Sequence, residues 1–600
     1  MDPAQNNIDP RTEYALRIEA RRLSRANCES MHRRIGNARF VLFIAAAVTA
    51  WFAFTSPESV SPWWLLLPFF GFIALVVWHS RVLGKLRRFQ NAVRFYENGL
   101  ARLDERWEDI GITGDHHDDP SHPYARDLDL FGRGSLFQLI CSARTSGGES
   151  KLASWLKHPA SPEEIRSRQK AVTELRANLD LREDLAVIGT DIGSGIHSSS
   201  LVDWSEGETG KESLKIPIIA GILAAATIAS LIFWFVEGEY RWFLIMAAIE
   251  LVFIYRRRRT VRSIVSSAEK ACNDLKLLSL VLARMEKERF KTDVLVKLSK
   301  ALECDGLPPS KSIARLNRLI VLLDSRKNQL FAPIAFILLW EMQLAHLLEN
   351  WRRRNGRAIA GWLDAAAELE ALSSLAGYAY EHPRDPFPEL SDETPWFEGR
   401  GLGHPLIPES KCVPNDVRLT GEMRLFIVSG SNMSGKSTLL RTVGANAVLA
   451  LAGAPVRAHS LRIAPMAIGA SIRVADSLQE GTSRFYAEIK RLQKLMSLAE
   501  GPLPLLFLLD ELLHGTNSND RRIGAEAVVK GMVRRGAVGL LTTHDLALSH
   551  IADVLSPEAA NVHFEDHLEN GRMIFDYRLQ PGIVRKSNAL ELMRSIGLEV

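Results

Sequence analysis

The chain has 600 residues, and its formal net charge of +4 at pH 7 is close to balanced. This balance gives no sign of a protein wrapped in nucleic acid, although it still allows a local basic face. The five cysteines (Cys28, Cys141, Cys272, Cys304, Cys412) are scattered and form no Cys-x-x-Cys pair, which argues against structural zinc and disulfides and fits a reducing compartment.

Uncharged apolar runs fill the front of the chain, after a polar segment, residues 1–39, that does not resemble a cleavable signal peptide. Residues 40–57 and 59–80 form a first pair of runs. Residues 216–236 form a third run, and residues 242–255 form a fourth, which is shorter and interrupted by Glu250. Because about 20 apolar residues cross a bilayer core, the first three runs qualify as membrane spans and the fourth is marginal. Buried core helices are the alternative, but tryptophans near the run ends favour the bilayer.

Cations lie on one side of both apolar pairs, and the short connecting loops hold almost none. The positive-inside rule therefore predicts a multi-pass protein of the cytoplasmic (inner) membrane, with both termini in the cytoplasm. The four arginines 256–259 would contact lipid headgroups or, alternatively, nucleic acid; their place beside a span favours lipid. Glu250 in the fourth run costs least if it faces a neighbouring helix. The flanking cations are Arg33, Arg34, Arg39, Arg81, Lys85, Arg87, Arg88, Lys211, Lys215 and Arg256 to Arg259.

Two further stretches allow more than one interpretation. Residues 115–119 with His122 have the ligand types of a metal site, but their irregular spacing in a loop with Pro and Gly favours a solvated linker. Residues 262–380 are typical of long helices. Within them, the apolar run 331–340 ends at Glu341, too early for a span, so we predict a buried bundle helix there.

A glycine-rich loop follows the apolar run 425–428 and precedes helix-compatible sequence. Its glycines let backbone N–H groups turn around phosphate oxygens, and the helix N-terminus adds partial positive charge. The pattern predicts a nucleotide site in which Lys436 reaches the β- and γ-phosphates and Ser437 binds Mg²⁺. The loop residues are Gly430, Ser431, Asn432, Met433, Ser434, Gly435, Lys436, Ser437 and Thr438.

Two more predicted strands end in side chains that suit hydrolysis. Residues 505–509 are typical of a strand buried on both faces of a parallel sheet, and Asp510 and Glu511 follow it. At that sheet edge Asp510 would hold Mg²⁺ through water, and Glu511 would act as the general base. Residues 538–543 form the next strand, after which His544 would sense the γ-phosphate. A solvated acidic turn and a structural histidine are the alternatives.

Together these motifs resemble the MutS family. Asn and Met inside the loop are characteristic of MutS, and residues 510–518 resemble its carboxylate strand and signature segment. The resemblance implies an ABC-like ATPase domain that uses ATP and Mg²⁺, with Lys436, Glu511 and His544 in catalysis. Further similar segments are residues 413–416, 475–478, 483–488, 562–565, 581–582 and 597–598 in the ATPase, and 128–137, 147–156 and 165–172 in the helical core.

The chain also departs from the family pattern. Cys412 lies where MutS proteins usually stack an aromatic side chain on adenine, and Asn517, beside Ser518, replaces the signature serine. Base preference and hydrolysis rate are therefore left open. We expect no helical dimerisation extension of the kind often found beyond the ATPase in MutS proteins. Residues 95–97 read Phe-Tyr-Glu, the letters of the mismatch wedge, but they lie in a helical stretch after an apolar span, which favours a helix face near the membrane.

The sequence thus predicts a membrane-anchored MutS-like protein that lacks the N-terminal mismatch-recognition domain. We expect an α/β P-loop NTPase domain preceded by an all-α core, with two transmembrane hairpins. The expected segments are an N-terminal helical segment (1–39), hairpin 1 (40–80), a helix and linker (81–127), the start of the core (128–213), hairpin 2 (214–256), the rest of the core (257–382) and the ATPase (383–600).

The resemblance implies DNA as the substrate class, with mismatched-DNA binding or damage sensing as the activity. It also implies a homodimer in which residues 515–518 complete the partner's nucleotide site. The alternative is a membrane-tethered mechanical ATPase that acts on a protein partner or a non-mismatch DNA structure, outside mismatch repair. The missing wedge domain favours this alternative, and the family architecture favours DNA. A transporter is disfavoured because the four predicted spans offer no substrate path.

Overall fold

The computed structural model describes residues 9–55, 61–188, 198–206, 215–302, 307–329, 331–393, 395–431, 433–473, 484–513, 516–569 and 572–584. The chain forms two units, one of Met1–Trp107 with Leu179–Gly195 and one of Glu108–Asn178 with Ile196–Val600. Most of the described residues are helical, and two mixed β-sheets belong to the second unit.

The helices, in chain order, are α1 (Pro10–Thr55), α2 (Leu66–Leu103), α3 (Leu136–Ile140), α4 (Ser146–Lys157), α5 (Pro162–Ala177), α6 (Leu179–Val187), α7 (Ser198–Glu206), α8 (Lys215–Glu237), α9 (Arg241–Met285), α10 (Asp293–Lys300), α11 (Pro309–Asp324), α12 (Ala332–Ile337), α13 (Trp340–Glu381), α14 (Lys436–Ala452), α15 (Arg484–Ala499), α16 (Ser518–Arg534) and α17 (His550–Val554). Short 3-10 turns join some of them.

The strands are β1 (Glu389–Leu390), β2 (Phe397–Leu402), β3 (Asn415–Leu419), β4 (Leu425–Ser429), β5 (Ser460–Ile463), β6 (Ala467–Ser471), β7 (Leu505–Asp510), β8 (Val538–Thr543), β9 (Ala559–Glu569) and β10 (Arg572–Pro581). They form a four-stranded sheet of order β1-β5-β2-β3 and a six-stranded sheet of order β10-β9-β4-β8-β7-β6. In the larger sheet all neighbours are parallel except β10, which pairs antiparallel with β9.

The larger sheet is buried because its central strands are apolar on both faces. All five residues of 505–509 in β7 are 0% exposed, and the predicted strands β4, β7 and β8 are confirmed. The register aligns Ser429 of β4 with Thr543 of β8, and Thr542 of β8 with Asp510 of β7. The polar ends of three strands therefore lie side by side at one edge of the sheet.

Asp127 fastens the start of the helical core to this sheet. Its Oδ1 accepts the N–H groups of Ile472 and Arg473, just after β6, at 2.8 and 2.7 Å. Its Oδ2 lies 2.5 Å from a guanidinium nitrogen of Arg491 in α15. Because Asp127 is 2% exposed, these charge-assisted contacts connect the segment before α3 firmly to the end of β6 and to α15.

The first unit is a helical hairpin held at its base by a buried carboxylate. Helices α1 and α2 pack along each other, and Glu183 of α6 accepts two hydrogen bonds from the Arg21 guanidinium, each 2.9 Å long. Tyr96 is 0% exposed and donates to Glu183 at 2.5 Å. The Phe-Tyr-Glu letters at 95–97 therefore fall inside α2, as the helix interpretation predicts.

In the part of the chain that the structure describes, three helical stretches are long and apolar enough to cross a membrane: Pro10–Thr55, Trp63–Leu103 and Ile216–Glu237. They carry the first three predicted spans. The fourth predicted span lies in α9, which is not among them, since the four arginines follow its apolar stretch directly. Glu250 of α9 is buried and accepts a hydrogen bond from Thr227 of α8 at 2.7 Å, so it faces the neighbouring helix as expected.

The prediction of a buried bundle helix over residues 331–340 is wrong. The run is divided into α12, which has no buried residue, and the start of the long helix α13. Leu339 separates the two in the left-handed region, with φ of 46°. An apolar run therefore stays at the surface of its unit, because the chain turns before the run can pack into the bundle.

Glu370 of α13 should make folding stability depend on pH. The carboxylate is 2% exposed, and burial raises its pKa from 4.5 to about 7. The folded chain then binds more protons than the unfolded chain between these values, so stability should fall as pH rises from 4.5 to 7, by roughly 3 kcal/mol at 1.36 kcal/mol per pKa unit. Melting temperatures of the full chain in detergent should show this slope, and Glu370→Gln should flatten it, whereas the exposed Glu163→Gln should not. An unchanged profile in Glu370→Gln would contradict the assignment.

Candidate functional site

The glycine-rich loop forms the turn between β4 and α14, at the sheet edge where the polar strand ends meet. Gly430, Met433 and Gly435 all have positive φ, at 155°, 73° and 100°. A Cβ on Gly430 would lie 2.7 Å from the Ser434 hydroxyl oxygen, so only glycine fits there. The loop thus curls tightly in front of the α14 N-terminus. Asn432, also predicted to bind the cofactor, lies outside the described residues.

Lys436 is folded back onto this loop. Its ammonium donates to the backbone oxygens of Gly430 and Ser431 at 2.9 and 2.8 Å, and the residue is 5% exposed. Burial lowers the pKa of this ammonium, and nearby carboxylates, including Asp510 and Glu511, oppose the shift. The ammonium therefore lies at the centre of the loop, already among oxygen acceptors.

Two hydroxyl groups in the loop are buried without a hydrogen-bond partner among the described residues. They belong to Ser431 and Ser434. A buried donor without a partner costs about 1–3 kcal/mol, so such a pair is explained best by an acceptor that binds between them. Phosphate oxygens have that character, and the residues present fit a phosphate chain.

Ser437 and Asp510 lie together, as predicted for a metal site. The Ser437 hydroxyl donates to one Asp510 oxygen at 2.6 Å, and the Thr542 hydroxyl donates to the other. A serine hydroxyl beside a carboxylate supplies the hard oxygen donors that Mg²⁺ prefers. Sequence reasoning missed Thr542, although it is the second-last residue of β8 and the register places it directly beside Asp510.

Glu511 and His544 face each other across the ends of β7 and β8. Nδ1 of His544 lies 3.2 Å from Oε1 of Glu511. The backbone N–H of Glu511 donates to the backbone carbonyl oxygen of Thr542 at 3.2 Å. The positive φ of Glu511, 48°, turns the chain out of β7 at this point. Both side chains are partly exposed, so water can reach them. The structure therefore brings the predicted base and sensor together.

A cavity of about 520 Å³ opens beside the loop. Its phosphate end is lined by Lys436, Ser437 and Thr438, and Cys412 lies on the wall as the sequence suggested. The remaining lining residues are His404, Ile407, Lys411, Val413, Met433, Gly435, Thr442, Phe564 and Tyr577. Its volume and mixed lining suit a nucleotide-sized ligand.

Tyr577 supplies an aromatic surface that sequence reasoning did not find. A Cβ on Gly435 would lie 3.2 Å from its ring, so the ring covers the loop. Asn415 of β3 holds β10 in place. Its side-chain amide donates to the backbone carbonyl oxygen of Tyr577 at 2.9 Å, and its side-chain oxygen accepts the Leu579 N–H at 2.7 Å. The β9–β10 pairing and Asn415 together place this tyrosine near the loop, and no local sequence signal indicates that arrangement.

The signature segment is only partly described, since His514 and Gly515 lie outside the described residues. Asn517 is the N-cap of α16, and its side chain accepts the Asp520 N–H at 2.9 Å. Residues 475–478, 483 and 597–598, which carried part of the resemblance, also lie outside the described part.

The predicted linker at 115–122 does not form one metal site. Within it only His116 and His117 come together; one nitrogen of each and a Glu149 oxygen lie within 4.8 Å of one another. Nδ1 of His122 instead accepts backbone N–H groups of its own turn. The histidines of this segment therefore divide between a group of His116 and His117 with Glu149 and a local turn at His122.

Comparison with known proteins matches two consecutive parts of the chain. MutS domain III matches residues 124–376, and MutS domain V matches residues 426–599. Similar proteins include "DNA mismatch repair protein MutS 2" of Halobacterium salinarum, 33% identical over 239 residues (39% of this chain, 27% of the relative). They also include "Endonuclease MutS2" of Thermus thermophilus, 33% over 203 residues (32% and 25%), and "DNA mismatch repair protein MutS" of the same species, 30% over 279 residues (46% and 33%). The chain spans a quarter to a third of the length of these relatives.

Proposed function

The chain is a member of the MutS family, and from that premise we propose that it is a membrane-anchored ATPase whose ATP binding and hydrolysis are coupled to DNA binding. One observation carries the ATPase proposal. Lys436, Ser437 and Asp510 lie at the same sheet edge as the paired Glu511 and His544.

The loop residues would hold ATP by exchange of hydrogen bonds. Lys436 would turn from the Gly430 and Ser431 oxygens to the β- and γ-phosphates, and the buried hydroxyls of Ser431 and Ser434 would donate to phosphate oxygens. Ser437 and Asp510 would hold Mg²⁺, which neutralises phosphate charge when it is bound.

Glu511 would take the proton from the attacking water. The Glu511 carboxylate is partly exposed and lies within hydrogen-bond distance of His544. This contact fixes the orientation of the carboxylate. The chain would thus contribute three groups to hydrolysis: the base Glu511, the imidazole of His544 that orients it, and the Lys436 ammonium that balances the phosphate charge.

Tyr577 is expected to stack on the adenine base. Tyr577→Ala should weaken ATP binding about tenfold, because stacking of a base on an aromatic ring contributes ~1–3 kcal/mol, whereas Tyr577→Phe should bind like wild type. Titration with a fluorescent ATP analogue measures both. Phe575, whose ring lies 5.9 Å from that of Tyr577 and does not line the cavity, gives the control Phe575→Ala. Wild-type affinity in Tyr577→Ala would show that the base binds elsewhere.

A continuous set of contacts supports coupling between the helical core and the hydrolytic site. Asp127 of the core segment binds Arg491 of α15, and Glu488 of the same helix accepts the Leu513 N–H at 2.6 Å. Leu513 lies two residues after Glu511. A shift of α15 driven by the core would therefore move the backbone that carries the base.

DNA is the proposed ligand of the core because the relatives are DNA mismatch repair proteins. The test compares binding of matched, mismatched and branched duplexes by the full chain in nanodiscs, at several salt concentrations. Tighter binding to mismatched or branched DNA, together with faster ATP turnover, supports the proposal. Equal absence of binding to all three would overturn the DNA part and leave the mechanical ATPase acting on a protein partner.

We further propose a homodimer in which each ATPase site is completed by the partner's signature segment. Lys436→Ala and a Thr516/Asn517/Ser518 triple alanine should each be inactive, and a mixture should partly regain ATPase activity, since one site per mixed dimer has both halves intact. Asn517 is the N-cap of α16, so its replacement by alanine should lower folding stability by about 1 kcal/mol. Asn517→Asp keeps a capping side chain and therefore serves as a second variant that folds stably. Mixed dimers without any recovery would show that each subunit hydrolyses ATP alone.

A further inference from the structure

Helix α12 is an apolar segment that its own unit leaves uncovered. None of its residues is buried, and Ile334 is 49% exposed. The Phe331 ring packs edge-on against Trp340, 5.6 Å away, rather than into the helical bundle. An uncovered run of this kind needs an apolar environment outside the protein.

The segment lies at one end of the α8–α9 hairpin, within the same unit. Helix α12 contacts α8 and α13, and a cavity of about 480 Å³ lies between α9, α12 and the start of α13. Apolar side chains and three arginines, Arg258, Arg262 and Arg326, line this cavity.

The two helices of the hairpin differ in apolar length. With 23 residues, α8 reaches about 34 Å at 1.5 Å per residue, enough for a hydrocarbon core of ~30 Å. The apolar stretch 242–255 of α9, interrupted only by the buried Glu250, reaches about 21 Å before the arginines begin. At the arginine end the hairpin therefore lacks roughly 9 Å of apolar surface on the α9 side. Helix α12 supplies apolar surface at that end.

We propose that this cavity binds the phosphate headgroup of an anionic phospholipid, with α12 lying in the membrane interface. The inference rests on the proposed membrane anchoring. Arg258 and Arg262 are four residues apart on one helix face, both are exposed, and in the described part of the chain neither has an acidic partner within ion-pair distance. Guanidinium groups bind phosphate through paired hydrogen bonds.

The other charges of the cavity are already balanced. Arg326 forms an ion pair with Glu341 and lies 3.6 Å from Glu269, so the one acidic side chain on the cavity wall does not oppose an anion. Trp340 donates its indole N–H to the Leu322 oxygen at 2.8 Å, the amphipathic arrangement that suits a tryptophan at the interface. Arg258 also lies over the Tyr255 ring at 4.4 Å, but in the described part of the chain neither it nor Arg262 has an acidic partner. These two cations beside an apolar wall thus match one lipid phosphate and its chains.

The test uses the full chain in nanodiscs of phosphatidylcholine with increasing phosphatidylglycerol, and native mass spectrometry counts the phosphatidylglycerol retained. Arg258→Gln/Arg262→Gln should lower apparent affinity at least about tenfold, because the headgroup phosphate would lose both guanidinium donors. The control Arg257→Gln/Arg259→Gln removes equal charge from the same run outside the cavity and should change affinity less than about twofold.

Three results would count against this site. Equal loss in both double variants would reduce it to general attraction between the arginine run and the bilayer. Displacement of the lipid by millimolar inorganic phosphate in detergent would mean a free-phosphate site. Extraction of the wild-type chain by alkaline carbonate would instead overturn membrane anchoring, which is a separate failure. Retention of phosphatidylglycerol by wild type and the control, but not by Arg258→Gln/Arg262→Gln, supports the proposal.

Discussion

Glu511→Gln is expected to slow ATP hydrolysis by about a hundredfold or more while ATP still binds. Glutamine keeps the size and position of the side chain, and its amide can still contact His544, which lies 3.2 Å from the present carboxylate. It cannot take a proton from water, so only the chemical step should fail. Single-turnover hydrolysis and fluorescent-nucleotide titration on the same preparation separate the two steps.

Lys436→Ala is the matched contrast, because it should fail at binding. The variant removes the only ammonium that donates into the described loop, so the phosphates would lose their charge compensation. If Glu511→Gln turned over ATP as fast as wild type, Glu511 would not be the base. If Lys436→Ala bound ATP normally, the phosphates would not lie in this loop.

Removal of both predicted hairpins is expected to leave a chain that no longer sediments with membranes. Residues 43–76 and 216–253 are the parts to replace by short flexible linkers, since this keeps Arg21, Tyr96 and Glu183 at the base of the first hairpin. Either single deletion should stay in the membrane pellet after alkaline carbonate, because one hairpin remains. The double deletion should appear in the supernatant, with a high-salt wash to remove chains held by headgroup contacts alone.

A folded double deletion that stayed in the carbonate pellet would contradict the predicted topology. ATPase activity in the soluble form reports on folding, since the site lies in the larger sheet, far along the chain from either deletion. A full-length chain that remained soluble without detergent would contradict it equally.

The candidate site was predictable from sequence because its parts are local. Each apolar run ends in the residues that matter, and parallel strands bring their carboxyl ends to one edge, so Asp510, Glu511 and His544 could be placed near Lys436 before any coordinates. Thr542 was within reach of the same argument. The family resemblance, which the comparisons confirm, rests on the same motifs.

The features that the sequence did not predict depend on contacts between segments that lie far apart in the chain. Tyr577 reaches the cavity through an antiparallel strand pair and an asparagine clamp from β3, more than a hundred residues earlier. Helix α12 was misjudged because apolar composition cannot tell a surface segment from a core segment. The residues around Glu183 did not predict its burial. Its three hydrogen bonds come from Arg21 of α1 and Tyr96 of α2, which are distant in the chain.

The folded-back ammonium of Lys436 also bears on how the proposed ATPase site would release its product. When nucleotide leaves, a buried cation without partners would cost several kcal/mol, and that cost would hold the spent product in place. In this structure the Lys436 ammonium donates to the backbone oxygens of Gly430 and Ser431 at 2.9 and 2.8 Å. In the proposed ATPase, release of ADP would exchange phosphate oxygens for these backbone oxygens as acceptors of the ammonium, so a buried cation without partners would not oppose release.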